Sequence, residues 1–153
     1  PADAYRDDVA ANLAVAERWV TEHPDTEFDF FLPPYSILFW DKVIREGRTE
    51  AVFAAIRQAG QTLLQYDNVK FYGYLMDPEI VTNLDNYCDY IHHSGGVCRE
   101  ILTMLQREEG RLTEENLEET LANWREFVVH YDYDQFWDER FWIQWNAEHA
   151  AAP

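Results

Sequence analysis

Apolar positions recur at three- and four-residue steps almost throughout the chain, the spacing of helices with one buried face. Tyr5, Val9, Leu13, Ala16 and Val20 mark a first helix, with Asp3 as N-cap and Pro24 as its limit. Residues 24–33, with Asp25, Glu27 and Asp29 set between aromatics, read as a loop. Pro33 and Pro34 close that loop and open a second helix to about residue 46, with Gly47 just past its end. Thr49 can cap a third helix, whose shared face is Val52, Ile56, Ala59 and Leu63. Segment 69–76 is ambiguous, because its Tyr and Phe residues would also suit a short strand.

Asp77-Pro78 is a helix start, with Asp as N-cap and Pro in the first helical position. Ile80, Leu84, Tyr87 and Ile91 then form one stripe, broken by Gly95-Gly96. Val97, Ile101, Met104 and Leu105 resume the pattern until Gly110. Thr113 caps the next helix, with Glu114 and Glu115 at its positive end. Its buried face is Leu117, Leu121, Trp124 and Val128. After a Tyr-Asp-Tyr-Asp turn, a last helix over about 135–148 carries Trp137, Phe141, Trp142 and Trp145 on one side. The fold class this predicts is all-α, an irregular bundle of six to eight helices with an aromatic-rich core. The expected organisation is one helical domain over 1–149 and a frayed tail over 150–153.

Length and composition agree with a single folded unit. A chain of 153 residues buries roughly 70% of its unfolded surface. No apolar run approaches the ~18 residues of a membrane span, so no membrane partner is expected. The opening residues are polar and acidic, unlike a signal peptide. Two cysteines are too few for a disulfide framework. Reduced thiols in a cytoplasmic setting are the expectation.

Charge changes the picture most. The formal net charge is -17, from 29 acids and 12 bases, of which only Lys42 and Lys70 are lysines. Direct nucleic-acid binding is excluded, since phosphate contact needs clustered Lys and Arg. The acids concentrate at the ends: residues 1–31 hold eight and residues 107–153 hold twelve. Duplex DNA carries one charge per ~1.7 Å of axis, so seventeen charges match roughly 29 Å of duplex. That charge density suits a decoy for a nucleic-acid-binding groove, and equally a plain solubility coat.

Three stretches carry candidate chemistry. In the segment 88–98, Cys88 and His92 stand four apart and so share a helical face, Asp89 sits three before His92 and four before His93, and a Gly-Gly turn could bring Cys98 back toward them. Cys88, His92, His93 and Cys98 are therefore candidate ligands for Zn or Fe, although no CxxC knuckle is present. The plain alternative is two half-buried thiols and a histidine pair at a helix C-terminus. The segment 131–142 interleaves acids with rings, as a surface for Arg- or Lys-rich partners would. There Asp132, Tyr133, Asp134, Asp138 and Glu139 lie off the apolar stripe and are expected to be exposed, joined by Glu115, Glu118 and Glu119. The loop Phe28-Asp-Phe-Phe-Leu-Pro-Pro-Tyr either plugs the core or lines a ligand pocket.

No nucleophile elbow, phosphate loop or Glu-x-x-His pair occurs. The leading expectation is therefore a non-enzymatic acidic interaction or regulatory protein. Its partner would be a basic protein, in one version a nucleic-acid-binding protein held by mimicry, as an inhibitor or immunity protein would hold it. The alternative is a metal- or small-ligand-binding protein, or an accessory subunit of a larger enzyme, using the stretch 88–98.

Overall fold

The alternation Phe28-Asp29-Phe30-Phe31, expected to lie in a loop, is a β-strand in the computed structural model, which describes residues 1–138 and Ile143. The all-α expectation is therefore corrected to a mixed α/β fold, in which the described residues form six α-helices and a small three-stranded sheet. The elements in chain order are α1 (Arg6–Glu22), β1 (Phe28–Phe31), α2 (Ile37–Arg45), α3 (Thr49–Leu63), β2 (Val69–Tyr72), α4 (Pro78–Val81), α5 (Gly95–Gln106), β3 (Arg111–Leu112) and α6 (Leu117–His130). Short 3-10 turns cover Tyr74–Met76, Leu84–Asn86 and Asp134–Phe136.

The central strand is β2, the segment whose aromatic and β-branched residues suit a pleated surface. It pairs in parallel with β1, Phe28 opposite Val69 and Phe31 opposite Tyr72. Its other edge pairs antiparallel with β3, Phe71 opposite Leu112. Parallel strands need a crossover, and α2 and α3 supply it. Val69, Phe71 and Tyr72 are buried, because helices cover this sheet. The turn into β3 uses a left-handed Gly110 (φ +73°), whose carbonyl accepts the Gly73 amide at 3.0 Å.

Most helices lie where the apolar spacing puts them. In α6 the four predicted residues Leu117, Leu121, Trp124 and Val128 are all buried. In α1 the buried residues are Leu13 and Val20, with Val9 and Ala16 packed beside them. In α3 the buried face turns toward Ala51, Phe53, Ile56, Gly60 and Leu63. At Gly60 the helices approach closely: a Cβ there would meet the Leu117 methyls at 2.8 and 2.9 Å, so Leu117 would have to shift. The aromatic core is real: Trp40, fully buried, sits 5.1 Å from the Phe53 ring and 6.0 Å from the Trp124 ring.

The helix expected after Asp77-Pro78 is one turn long. Asp77 caps it, accepting from the Glu79 and Ile80 amides at 3.0 and 3.2 Å. Beyond Val81, side chains compete for the backbone. Asn83 Oδ1 accepts the Asp85 amide, and Asp89 Oδ1 accepts the Ile91 and His92 amides at 2.8 and 2.7 Å. The chain therefore turns through residues 87–93, closed by a bridge between Tyr87 and His93. Gly95 begins α5 instead of ending its predecessor. Of the last predicted helix, about 135–148, only the 3-10 turn Asp134–Phe136, Trp137, Asp138 and a helical Ile143 are described. Phe141, Trp142, Trp145 and the tail 150–153 lie outside the described residues.

Candidate functional site

Helix α2 has two working faces. Ile37, Trp40 and Val43 point into the core. Leu38, Asp41, Lys42 and Arg45, spaced as one helical face, form the wall of a cavity of about 440 Å³. Leu84, Tyr87, Cys88, Asp89, Tyr90 and Trp137 close it from the other side, with Ser36 at its end.

Three hydrogen bonds fix these walls to each other. Ser36, just ahead of α2, donates both its amide and its hydroxyl to the Tyr90 carbonyl, at 3.0 and 2.9 Å. The Tyr87 hydroxyl donates to the Pro34 carbonyl at 2.8 Å, and burial pushes its pKa up. Pro33 and Pro34 have no amide to offer, so the neighbouring carbonyl and the Ser36 donors are the groups left to tie.

Asp41 is the unusual residue. Its carboxylate is buried, at 4% exposure, and an ionised group there needs partners. Arg45, one turn on, pairs with Asp41 Oδ2. The Trp137 indole N–H donates to the same oxygen at 2.7 Å. The Arg45 guanidinium also lies 5.3 Å from the Trp137 ring centroid, within cation–π reach. Burial lowers the Arg45 pKa, and the negative Asp134 nearby works against that shift. Trp137 is thus tied to α2 by a hydrogen bond and a stacked cation.

Lys42 leans on the other aromatic wall, its Nζ 4.8 Å from the Tyr90 ring centroid and 3.4 Å from the Tyr90 hydroxyl, to which it donates. Asp89 faces inward on itself: besides its two amide bonds, Oδ2 lies 2.6 Å from His92 Nδ1. Those bonds hold its carboxyl down at about 2, the His92 amide first among them.

The metal candidates are only partly brought together. Cys98 Sγ lies 3.7 Å from His93 Nδ1. Cys88 Sγ instead points at the His92 carbonyl, at 3.4 Å, and the His92 ring is spent on Asp89. Because the turn at 87–93 is not helical, Cys88 and His92 do not share a helical face. Among the described residues, no three His, Cys, Asp or Glu side chains gather as a metal would need.

The acidic candidates are dispersed. Asp132, Asp134 and Asp138 are exposed, as are Glu115, Glu118 and Glu119. Tyr133 is half-buried, and its hydroxyl donates to the Val128 carbonyl at 2.9 Å. Glu118 pairs with Arg57 at 2.8 Å, and Thr113 holds the Glu115 carboxyl below its ordinary pKa. Glu139 lies outside the described residues.

No family model matches the chain, and no solved structure matches it. It is similar to the UPF0735 ACT domain-containing proteins of Lacticaseibacillus casei and Lacticaseibacillus paracasei. Each is 26% identical over 90 residues, which is 59% of this chain. The match spans 62% of the length of these curated relatives. An ACT domain is an α/β unit, which agrees with the sheet seen here and not with an all-helical bundle. No helix among the described residues is long and apolar enough to cross a membrane.

The residues that sequence reasoning missed are those of α2. Asp41 and Arg45 look like any exposed i, i+4 pair, and burial is not visible in such spacing. One signal was present: Lys42, one of only two lysines in the chain, falls on this face.

Proposed function

We propose that this chain is a small-molecule-binding domain, with its ligand seated between α2, the turn at 87–90 and Trp137. One observation carries the reading. Apart from tyrosines and tryptophans, the buried polar side chains among the described residues are Ser36 and Asp41, and both line this cavity. Its volume of about 440 Å³ falls in the range of small-ligand sites, which are mostly apolar with a few fixed polar groups. A cytoplasmic setting belongs to the same proposal, and the two exposed, unpaired thiols Cys88 and Cys98 suit a reducing compartment.

The reading in which acidic residues hold a basic protein rests on charge. Tyr133 and Glu118, two of its nominated contacts, already have partners within the chain. It ranks second for that reason.

A fragment screen by thermal shift, followed by ¹H–¹⁵N titration of the hits, tests the cavity. Binders are expected to move the resonances of residues 38–45 and 87–90. Leu38→Trp, which fills the cavity from its half-buried wall, is expected to weaken every hit at least tenfold. Hits that ignore this substitution would place the ligand elsewhere.

A further inference from the structure

We propose that the ligand of this cavity is a carboxylic acid on an apolar or aromatic body, its carboxylate held by Lys42 and Tyr90; the inference rests on the cavity being a ligand site. Twenty-nine acids serve twelve bases in this chain, so a lysine at a site wall has many carboxylates within the molecule to choose from. Lys70, the other lysine, takes two, Glu27 at 3.0 Å and Glu108 at 2.7 Å. Lys42 takes none among the described residues, and its ammonium rests against a tyrosine.

The other charges of the wall are committed. Asp41 is engaged by Arg45 and Trp137. Asp89 is engaged by two amides and the His92 ring. The charge left to meet a ligand is positive. Tyr90 adds a second donor, because its oxygen accepts from Lys42 and its own O–H proton has no acceptor among the described residues. Two donors side by side suit the two oxygens of a carboxylate, and a charged donor strengthens such bonds.

The remaining surface sets the body of the ligand. Leu38, Leu84 and the rings of Tyr87 and Trp137 offer apolar and aromatic contact. A cavity of about 440 Å³ holds on the order of fifteen waters at ~30 Å³ each, the space of a ligand with roughly ten to fifteen non-hydrogen atoms. The net charge of -17 opposes anions at long range. Beyond the ~8 Å Debye length of physiological salt that field is largely screened, and Lys42 acts at contact.

Three probes of one shape test this in the full chain: 3-phenylpropanoate, 3-phenylpropanamide and 3-phenylpropylamine, titrated by ¹H–¹⁵N NMR at neutral pH. The carboxylate is expected to bind about tenfold tighter than the amide, a difference of ~1.4 kcal/mol, with the amine weakest. Lys42→Met should erase that preference and Lys42→Arg should retain it, with thermal melts confirming that both variants are folded. If the amide binds equally well, if the amine binds best, or if Lys42→Met keeps the preference, the anion inference falls while the cavity remains a ligand site. If none of the probes shifts residues 38–45 or 87–90 up to about 10 mM, a free energy of only ~3 kcal/mol, the small-molecule reading falls with it.

Discussion

At the scale of single residues, Asp41 concentrates the tension in this molecule. A buried carboxylate opposes folding unless its partners are in place. Arg45 and Trp137 are those partners, and both also form the cavity wall. Removing the carboxylate takes one ion-pair partner from a guanidinium that is 11% exposed and the acceptor from the Trp137 indole N–H. Asp41→Ala is therefore expected to lower stability by about 3 kcal/mol in urea denaturation. The double variant Asp41→Leu/Arg45→Met, which removes both charges, should recover most of that loss. A double variant as unstable as the single one would mean that the Trp137 hydrogen bond, and not the ion pair, matters at this position.

Among elements, what could be read in advance depended on how far the deciding partner lay along the chain. The buried face of α6 was legible to the residue, because a 3.6-residue period over four turns needs no outside information, whereas its start was not: Asn116, not Thr113, is the N-cap. Strand β1 was not, because its four residues between acidic and proline-rich neighbours gain their hydrogen bonds only from β2, about 40 residues away. The long helix after Pro78 failed for a local reason: Asn83 and Asp89 satisfy backbone amides that a helix would otherwise use. The site was half legible. The stretch 88–98 stood out as chemically loaded, and its first residues do line the cavity, but nothing in the apolar stripe of α2 announced that its opposite face is a wall. Turns show the same division. Gly47 and Gly110 both adopt left-handed φ, at +65° and +73°, yet a Cβ on Gly47 meets nothing within 4 Å while one on Gly110 comes within 3.1 Å of the Tyr74 ring. Gly47→Ala should cost the 1–2 kcal/mol or so of that backbone conformation alone. Gly110→Ala should cost more, with a correspondingly larger drop in Tm. Equal drops would show that the Tyr74 ring yields freely.

For the molecule as a whole, charge and topology set the remaining constraints. The ion pairs are mostly on the surface, as in Arg57–Glu118 and Arg125–Glu50, where each is worth about 0–1 kcal/mol. Self-repulsion from a net charge of -17 acts against all of them. Raising NaCl from about 0.1 to 1 M, which shortens the Debye length from ~10 to ~3 Å, is therefore expected to raise Tm by several degrees. A fall in Tm would make the ion pairs the stronger term. The placement of β2 between partners each about 40 residues distant in sequence has a consequence for biosynthesis. As the chain leaves the ribosome, β2 meets β1 at once, but β3 follows only after another 40 or so residues, about 2–8 s at 5–20 residues per second. During that interval the hydrophobic strand Val-Lys-Phe-Tyr presents a bare edge to its surroundings, and the nascent chain carries its greatest exposure to misassembly just before α6 is made.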